Sequence, residues 1–134
     1  MPSFVELRAA AETARENAYA PYSNYKVGAA VLDDQGGIWT GCNVENVSYP
    51  AGICAERTAI VKMVSEGRRV IRAVAVATRD GGTPCGICLQ VMLEFAPDPH
   101  EVQVHTISED GASACYKLSE LIPHGFCSKD LGRT

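Results

Sequence analysis

With 134 residues, 46% hydrophobic and 21% charged, the chain is long enough to bury a core as one domain, residues 1–134, and too apolar to stay disordered. A formal net charge of −4 excludes a broad electrostatic grip on nucleic acid or anionic membrane and leaves a small neutral ligand as the better partner. The opening MPSFVELRAAAETAR has no basic start ahead of an apolar core, and no apolar run nears the roughly 20 residues of a spanning helix, so a cytoplasmic protein is expected. Six cysteines in such a setting are expected to serve metal binding, chemistry or packing rather than disulfides.

In chain order, Ser3 with Glu6 reads as a capping box, and Phe4, Leu7, Ala11, Ala14 and Ala18 recur at helical spacing as far as Tyr19. After the break APYSNY, residues 26–44 offer two strand-like runs separated by Asp33, Asp34, Gly36 and Gly37, a hairpin. Pro50 and Gly52 interrupt the chain, and Ala59, Ile60, Met63 and Val64 then mark one face of a helix that ends near Gly67. The β-branched, almost continuously apolar run of residues 70–78 suits a central strand covered on both faces. Beyond RDGGTP, Pro84 introduces a helix that starts at Cys85 and carries Cys88, Val91, Met92 and Phe95 on one face. EVQVHTI and ACYKL read as two more strands about the turn EDG, ahead of a tail, LSELIPHGF. Strands alternating with helices on this scale predict an α/β domain, a sheet covered by helices, with the strand order left open.

The chemistry concentrates in three cysteines and one carboxylate. Cys85 and Cys88 share one turn at a helix start, where the positive end of the helix dipole favours thiolate, and Cys54 opens another helix in the same way. Three thiolates converging from two helix starts would fill three tetrahedral positions around Zn²⁺ and leave the fourth for water, the arrangement of a catalytic zinc site, with Glu56 two residues past one ligand to handle protons. A CxxC pair alone also fits a redox dithiol or half of a zinc knuckle. The first makes Cys54 and Glu56 a coincidence, and the second needs a fourth ligand from Cys42, Cys115, Cys127, His100, His105 or His124, none at knuckle spacing. Those three cysteines are expected to be buried or half-buried thiols, and the histidines strand or loop residues.

A ligand two residues before Glu, followed by PCxxC, resembles the signature of zinc deaminases, here Cys54-Ala55-Glu56 and Pro84-Cys85-Gly86-Ile87-Cys88. The segments AYAPYSNYKVGAA, GCNVENVSYPAGICAERTA and ELIPHGF extend the likeness over nearly the whole chain, to the short, homotetrameric cytidine deaminases. That resemblance implies a three-layer α/β/α fold on a mixed sheet of about five strands, one Zn²⁺ per subunit, a homotetramer, and hydrolysis of cytidine and deoxycytidine to the uracil nucleosides with release of ammonia. It assigns Cys54, Cys85 and Cys88 to the metal and Glu56 to proton transfer. It also places Asn43 and Glu45 on the ribose 3′-hydroxyl, the Ala55 backbone against the base, Tyr25 beside the ligand, and Phe126 in a neighbouring subunit's pocket.

Two positions depart from the family's pattern. Tyr25 stands where Phe is usual, which adds a hydroxyl in need of a partner. Leu89 stands where the family's PCGxCRQ carries an Arg, so Arg57 of CAER is left as the motif's one positive charge near three thiolates. The loss of that Arg raises an alternative, a hydrolase of the same fold acting on another 4-substituted pyrimidine nucleoside such as an N4-acylated cytidine or a blasticidin-like compound. A nucleic-acid-editing deaminase would want a basic groove that the acidic balance disfavours. A non-enzymatic zinc or redox module would hold no zinc, or zinc without exchangeable water.

Overall fold

The Ser3 hydroxyl accepts the Glu6 N–H at 3.3 Å and opens a helix, α1, over Phe4–Arg15 in the computed structural model, which describes residues 1–132. The helix stops four residues before Tyr19, the predicted end. Residues 16–18 close with tight i→i+3 bonds to Thr13, Ala14 and Arg15, and Tyr19 is drawn into an isolated bridge with Val44. Helical spacing at Ala18 therefore carried no helix, because pairing with the segment after the hairpin wins.

The hairpin forms as expected, from β1 over Gly28–Asp33 and β2 over Ile38–Cys42. Its turn is held by the Asp33 carboxylate, fully buried, which accepts from Gln35 N–H (2.7 Å), Gly37 N–H (2.9 Å) and the indole N–H of Trp39 (2.8 Å), with Arg68 3.6 Å away. Although burial alone would raise the Asp33 pKa, those donors together with the Arg68 charge lower it below the ordinary carboxylate value. The segment between β2 and the next helix includes a short 3₁₀ turn, Tyr49–Ala51.

Helix α2 spans Ala55–Ser65, strand β3 Ile71–Thr78, helix α3 Gly86–Glu94, and strands β4 and β5 Gln103–Ser108 and Ser113–Lys117. The strands lie in the order β2-β1-β3-β4-β5, with β3 and β4 parallel and every other pair antiparallel. β3 is thus the central strand of a mixed five-stranded sheet, as its apolar run predicted. Its alternation divides the core: Val74 and Val76 face α2 and α3 together with Ile60, Met63 and Met92, whereas Ala73, Ala75 and Ala77 face α1 with Leu7 and Ala11. Helices therefore cover both faces, a three-layer α/β/α arrangement.

Close approach fixes α2. A Cβ on Gly41 of β2 would lie 2.6 Å from the Ala59 nitrogen and 2.8 Å from both the Ala55 carbonyl oxygen and the Thr58 Cβ, so only glycine lets the helix rest on this strand. The tail, to which the sequence reading gave no element, contains a short helix, α4, over Leu118–Leu121. Its start is set by the Glu120 carboxylate accepting the Lys117 N–H at 2.8 Å, and Leu118 is buried.

Candidate active site

Backbone geometry at two helix starts builds the site. Cys54 and Cys85 are the N-cap residues of α2 and α3, both extended, so their side chains project beyond the helix ends, and Cys88 sits in the first turn of α3. The three sulfurs lie within 4.8 Å of one another, Cys54 to Cys85 at 4.0 Å and Cys85 to Cys88 at 3.6 Å. Tetrahedral zinc with Zn–S bonds of about 2.3 Å sets its sulfurs roughly 3.8 Å apart, and the cluster brackets that spacing. Among the described residues it holds these three ligand atoms and no fourth. The donor set fits a thiophilic metal with one open corner.

A hydrogen bond from the Cys88 thiol is the largest influence on Cys54, followed among stabilising contacts by the Arg57 guanidinium, whose Nη2 donates to its sulfur at 3.5 Å. Against the cost of burial, these bring the Cys54 pKa down to about 5, while Cys88, as the group giving the proton, is pushed up. Glu56, one residue into α2, is only 4% exposed, and burial, reinforced by the negative charge on Cys54, raises its pKa to about 7. A carboxyl poised there can both take and give a proton near neutrality.

Tyr25, Asn43, Glu45, Cys54, Ala55, Glu56 and Cys85 line one cavity of about 260 Å³, a volume for a small ligand. The Asn43 amide donates to the Tyr25 carbonyl at 2.8 Å and accepts from Val27 N–H at 2.9 Å, which leaves it one N–H and one lone pair for a ligand. Glu45 accepts from the Ser23 hydroxyl, from Ser23 N–H at 3.1 Å and from Tyr22 N–H at 2.9 Å. Those bonds, the Ser23 hydroxyl foremost, hold its pKa below the usual carboxylate value.

The extra hydroxyl of Tyr25 finds its partner in Asp80 at 2.5 Å, and burial followed by that carboxylate raises the phenol pKa. Leu89, where an Arg was the expected neighbour of the thiolates, is 8% exposed and belongs to the same core cluster as Met92 and Ala96. Phe126 lies outside the cavity, 58% exposed, its carbonyl accepting from Gln90 at 2.6 Å.

Of the other cysteines, Cys42 and Cys127 are half-buried as expected, but Cys115 is exposed, on the largely exposed edge strand β5. His100 and His124 are exposed, and His105 stacks on Phe4 with ring centroids 4.2 Å apart. Sequence reading missed Ser23, Val27, Thr78, Gly82 and Thr83, which also line the cavity. The signal for three of them was the stretch TRDGGT running straight into Pro84 and Cys85, since a loop that delivers a ligand also borders its site.

Residues 5–106 match the family described as the cytidine and deoxycytidylate deaminase zinc-binding region. A cytidine deaminase of Halalkalibacterium halodurans is 44% identical over 120 residues, covering 88% of this chain and 89% of the relative. One from Sporosarcina psychrophila is 41% identical over 128 residues, 94% and 93% of the two chains. The crystal structure of cytidine deaminase from Burkholderia pseudomallei superposes with a TM-score of 0.87 at 40% identity, over 93% of this chain and 100% of that one. Sequence motif, fold and cysteine geometry thus converge, and the chain belongs to the cytidine and deoxycytidylate deaminase zinc-binding family.

Proposed function

We propose that the chain is a zinc-dependent hydrolase that converts cytidine and deoxycytidine to uridine and deoxyuridine with release of ammonia. The observation that carries this reading is the buried Glu56 carboxyl in one cavity with two sulfurs of a three-thiol cluster and with Asn43 and Glu45. The similar proteins are cytidine deaminases, which supports the substrate class.

Cys54, Cys85 and Cys88 would hold the Zn²⁺, which when bound supplies Lewis-acid activation of the attacking water. Glu56 takes the proton that water gives up and delivers it to N3 of the pyrimidine, which makes C4 electron-poor. As water oxygen bonds to C4, Glu56 carries a second proton to the 4-amino group, the C4–N bond breaks, and ammonia leaves. Asn43 and Glu45 take the ribose 3′-hydroxyl, Ala55 sets its backbone against the base, and Tyr25 forms a wall beside the ring. Arg57 offsets the negative charge of the thiolates.

The subunit would act in a homotetramer, in which the exposed Phe126 reaches a neighbour's pocket, and in the cytoplasm. Burial of Leu89 among apolar neighbours favours reading that position as packing, so cytidine remains the substrate put forward. Zinc content measured alongside ammonia release from a panel of nucleosides tests the reading. Cytidine and deoxycytidine should lead the panel with one zinc per chain, and zinc-loaded protein inert toward both would overturn it.

A further inference from the structure

We infer that Asp80, in the loop between β3 and α3, is a positioning residue that holds the Tyr25 ring as a wall of the ligand cavity and so sets affinity for the pyrimidine nucleoside. The inference rests on the deaminase reading above. Tyr25 Oη donates to Asp80 Oδ1 at 2.5 Å, within the short range of hydroxyl-to-carboxylate bonds. The guanidinium carbon of the neighbouring Arg79 lies 5.3 Å from the centre of the same ring, a second grip on its face.

Asp80 is itself anchored. Its Oδ1 also accepts the Gly82 N–H and the Thr78 hydroxyl, each at 3.3 Å, and the buried Thr78 hydroxyl accepts Gly81 N–H at 2.7 Å and Gly82 N–H at 3.2 Å. Asp80 bridges to Ser108 at the end of β4, whose hydroxyl donates to the Arg79 carbonyl at 3.2 Å. The loop is therefore fastened to the sheet, and the ring is fastened to the loop.

At the other end, Asn43 holds the Tyr25 carbonyl at 2.8 Å, which fixes the root of the side chain and leaves only its torsions free. The bond at the hydroxyl removes that freedom. A phenylalanine ring here would have no such tether, so tyrosine and Asp80 form one device, and an unrestrained ring gives up part of the geometry a bound nucleoside needs.

The test is a double-mutant cycle on the full-length, zinc-loaded protein with Tyr25→Phe, Asp80→Ala and the double variant, read by cytidine kinetics and by urea unfolding. Either single change should raise KM about fivefold and keep kcat within about twofold, because Cys54 and Glu56 are carried by α2, and Cys85, although it ends the same loop, is fixed with Cys88 at the start of α3. The double variant should be no worse than either single one. Asp80→Asn, which keeps an acceptor oxygen, should restore KM to within about twofold.

An Asp80→Ala effect on KM that is equally large with and without Tyr25→Phe overturns the inference, since Asp80 would then act by another route. Unchanged KM in both single variants overturns it as well. If the parent does not turn over cytidine, the deaminase reading falls and the unfolding cycle decides the tether on its own. Non-additivity of about fivefold in the unfolding constant supports it, and strict additivity overturns it.

Discussion

Gly41→Ala joins the packing of the fold to the geometry of the site. The new Cβ would stand 2.6 Å from the Ala59 nitrogen and 2.8 Å from the Ala55 carbonyl oxygen, where ordinary contact begins at 3.4 Å. Both obstacles are backbone atoms, so no side chain can rotate to make room, and α2 must retreat from β2 by roughly 0.8 Å to regain normal separation. Overpacking of this kind costs about 1–3 kcal/mol. With a urea slope of about 2 kcal/mol per M, the unfolding midpoint should fall by about 1 M. Ala55 is flanked by Cys54 and Glu56, so the retreat also shifts the first turn that carries them, and cytidine turnover should drop by about 10- to 100-fold. The assays are urea unfolding followed by emission of Trp39, the chain's one tryptophan, and ammonia release. Gly86→Ala is the comparison for stability, since a Cβ there meets nothing within 4 Å, and its midpoint should not fall. Wild-type stability and turnover in Gly41→Ala would refute the claim that β2 sets the position of α2.

Glu56→Gln should retain bound zinc by metal analysis yet lose ammonia release altogether, because the amide cannot shuttle protons. Asn43→Ala should raise KM for cytidine and, by leaving Val27 N–H and the Tyr25 carbonyl without partners, lower stability by about 1–3 kcal/mol in urea unfolding. The Asp33 carboxyl has a depressed folded-state pKa, so its stabilising contribution is present above its unfolded value near 3.8 and lost as pH falls through the folded one. Asp33→Asn should cost about 2 kcal/mol at neutral pH and flatten that acid dependence, with the emission of Trp39, hydrogen-bonded to this side chain, as the readout. Leu89→Arg removes a buried apolar side chain, so it should lower the unfolding midpoint and leave the ranking of nucleosides unchanged in a panel assay. A widened or altered ranking would return substrate choice to that position.

Elements were legible in sequence wherever one rule acted alone. The run at residues 70–78 is covered on both faces and reads as the central strand, and Pro84 with paired cysteines marks the start of α3 to within one residue, Cys85 being the N-cap and Gly86 the first helical residue. Ala18 and Tyr19 misled because helical spacing says nothing about a competing bridge to Val44, a partner 25 residues away. Strand order was closed to pattern reading for the same reason, since pairing across the sheet depends on contacts distant in sequence. At the site, the ligands and Glu56 were legible because the metal chemistry restricts both residue type and spacing. Asp80 was not, because its part depends on a tyrosine 55 residues earlier reaching the same loop. Leu89 was read against a missing Arg, whereas the structure buries it in the apolar core on the α2 and α3 side of the sheet.

The alternation of valine and alanine along β3 has a consequence for how the chain can change over evolutionary time. The helices that carry Cys54, Glu56, Cys85 and Cys88 rest on the valine side, and α1 rests on the alanine side. Substitutions that repack α1 are therefore screened from the reacting groups by the thickness of the sheet, so that layer is free to diverge at little catalytic risk. Along the strand itself, tolerance should alternate with every residue: at 74 and 76 the hazard is losing volume, and at 73, 75 and 77 it is gaining it.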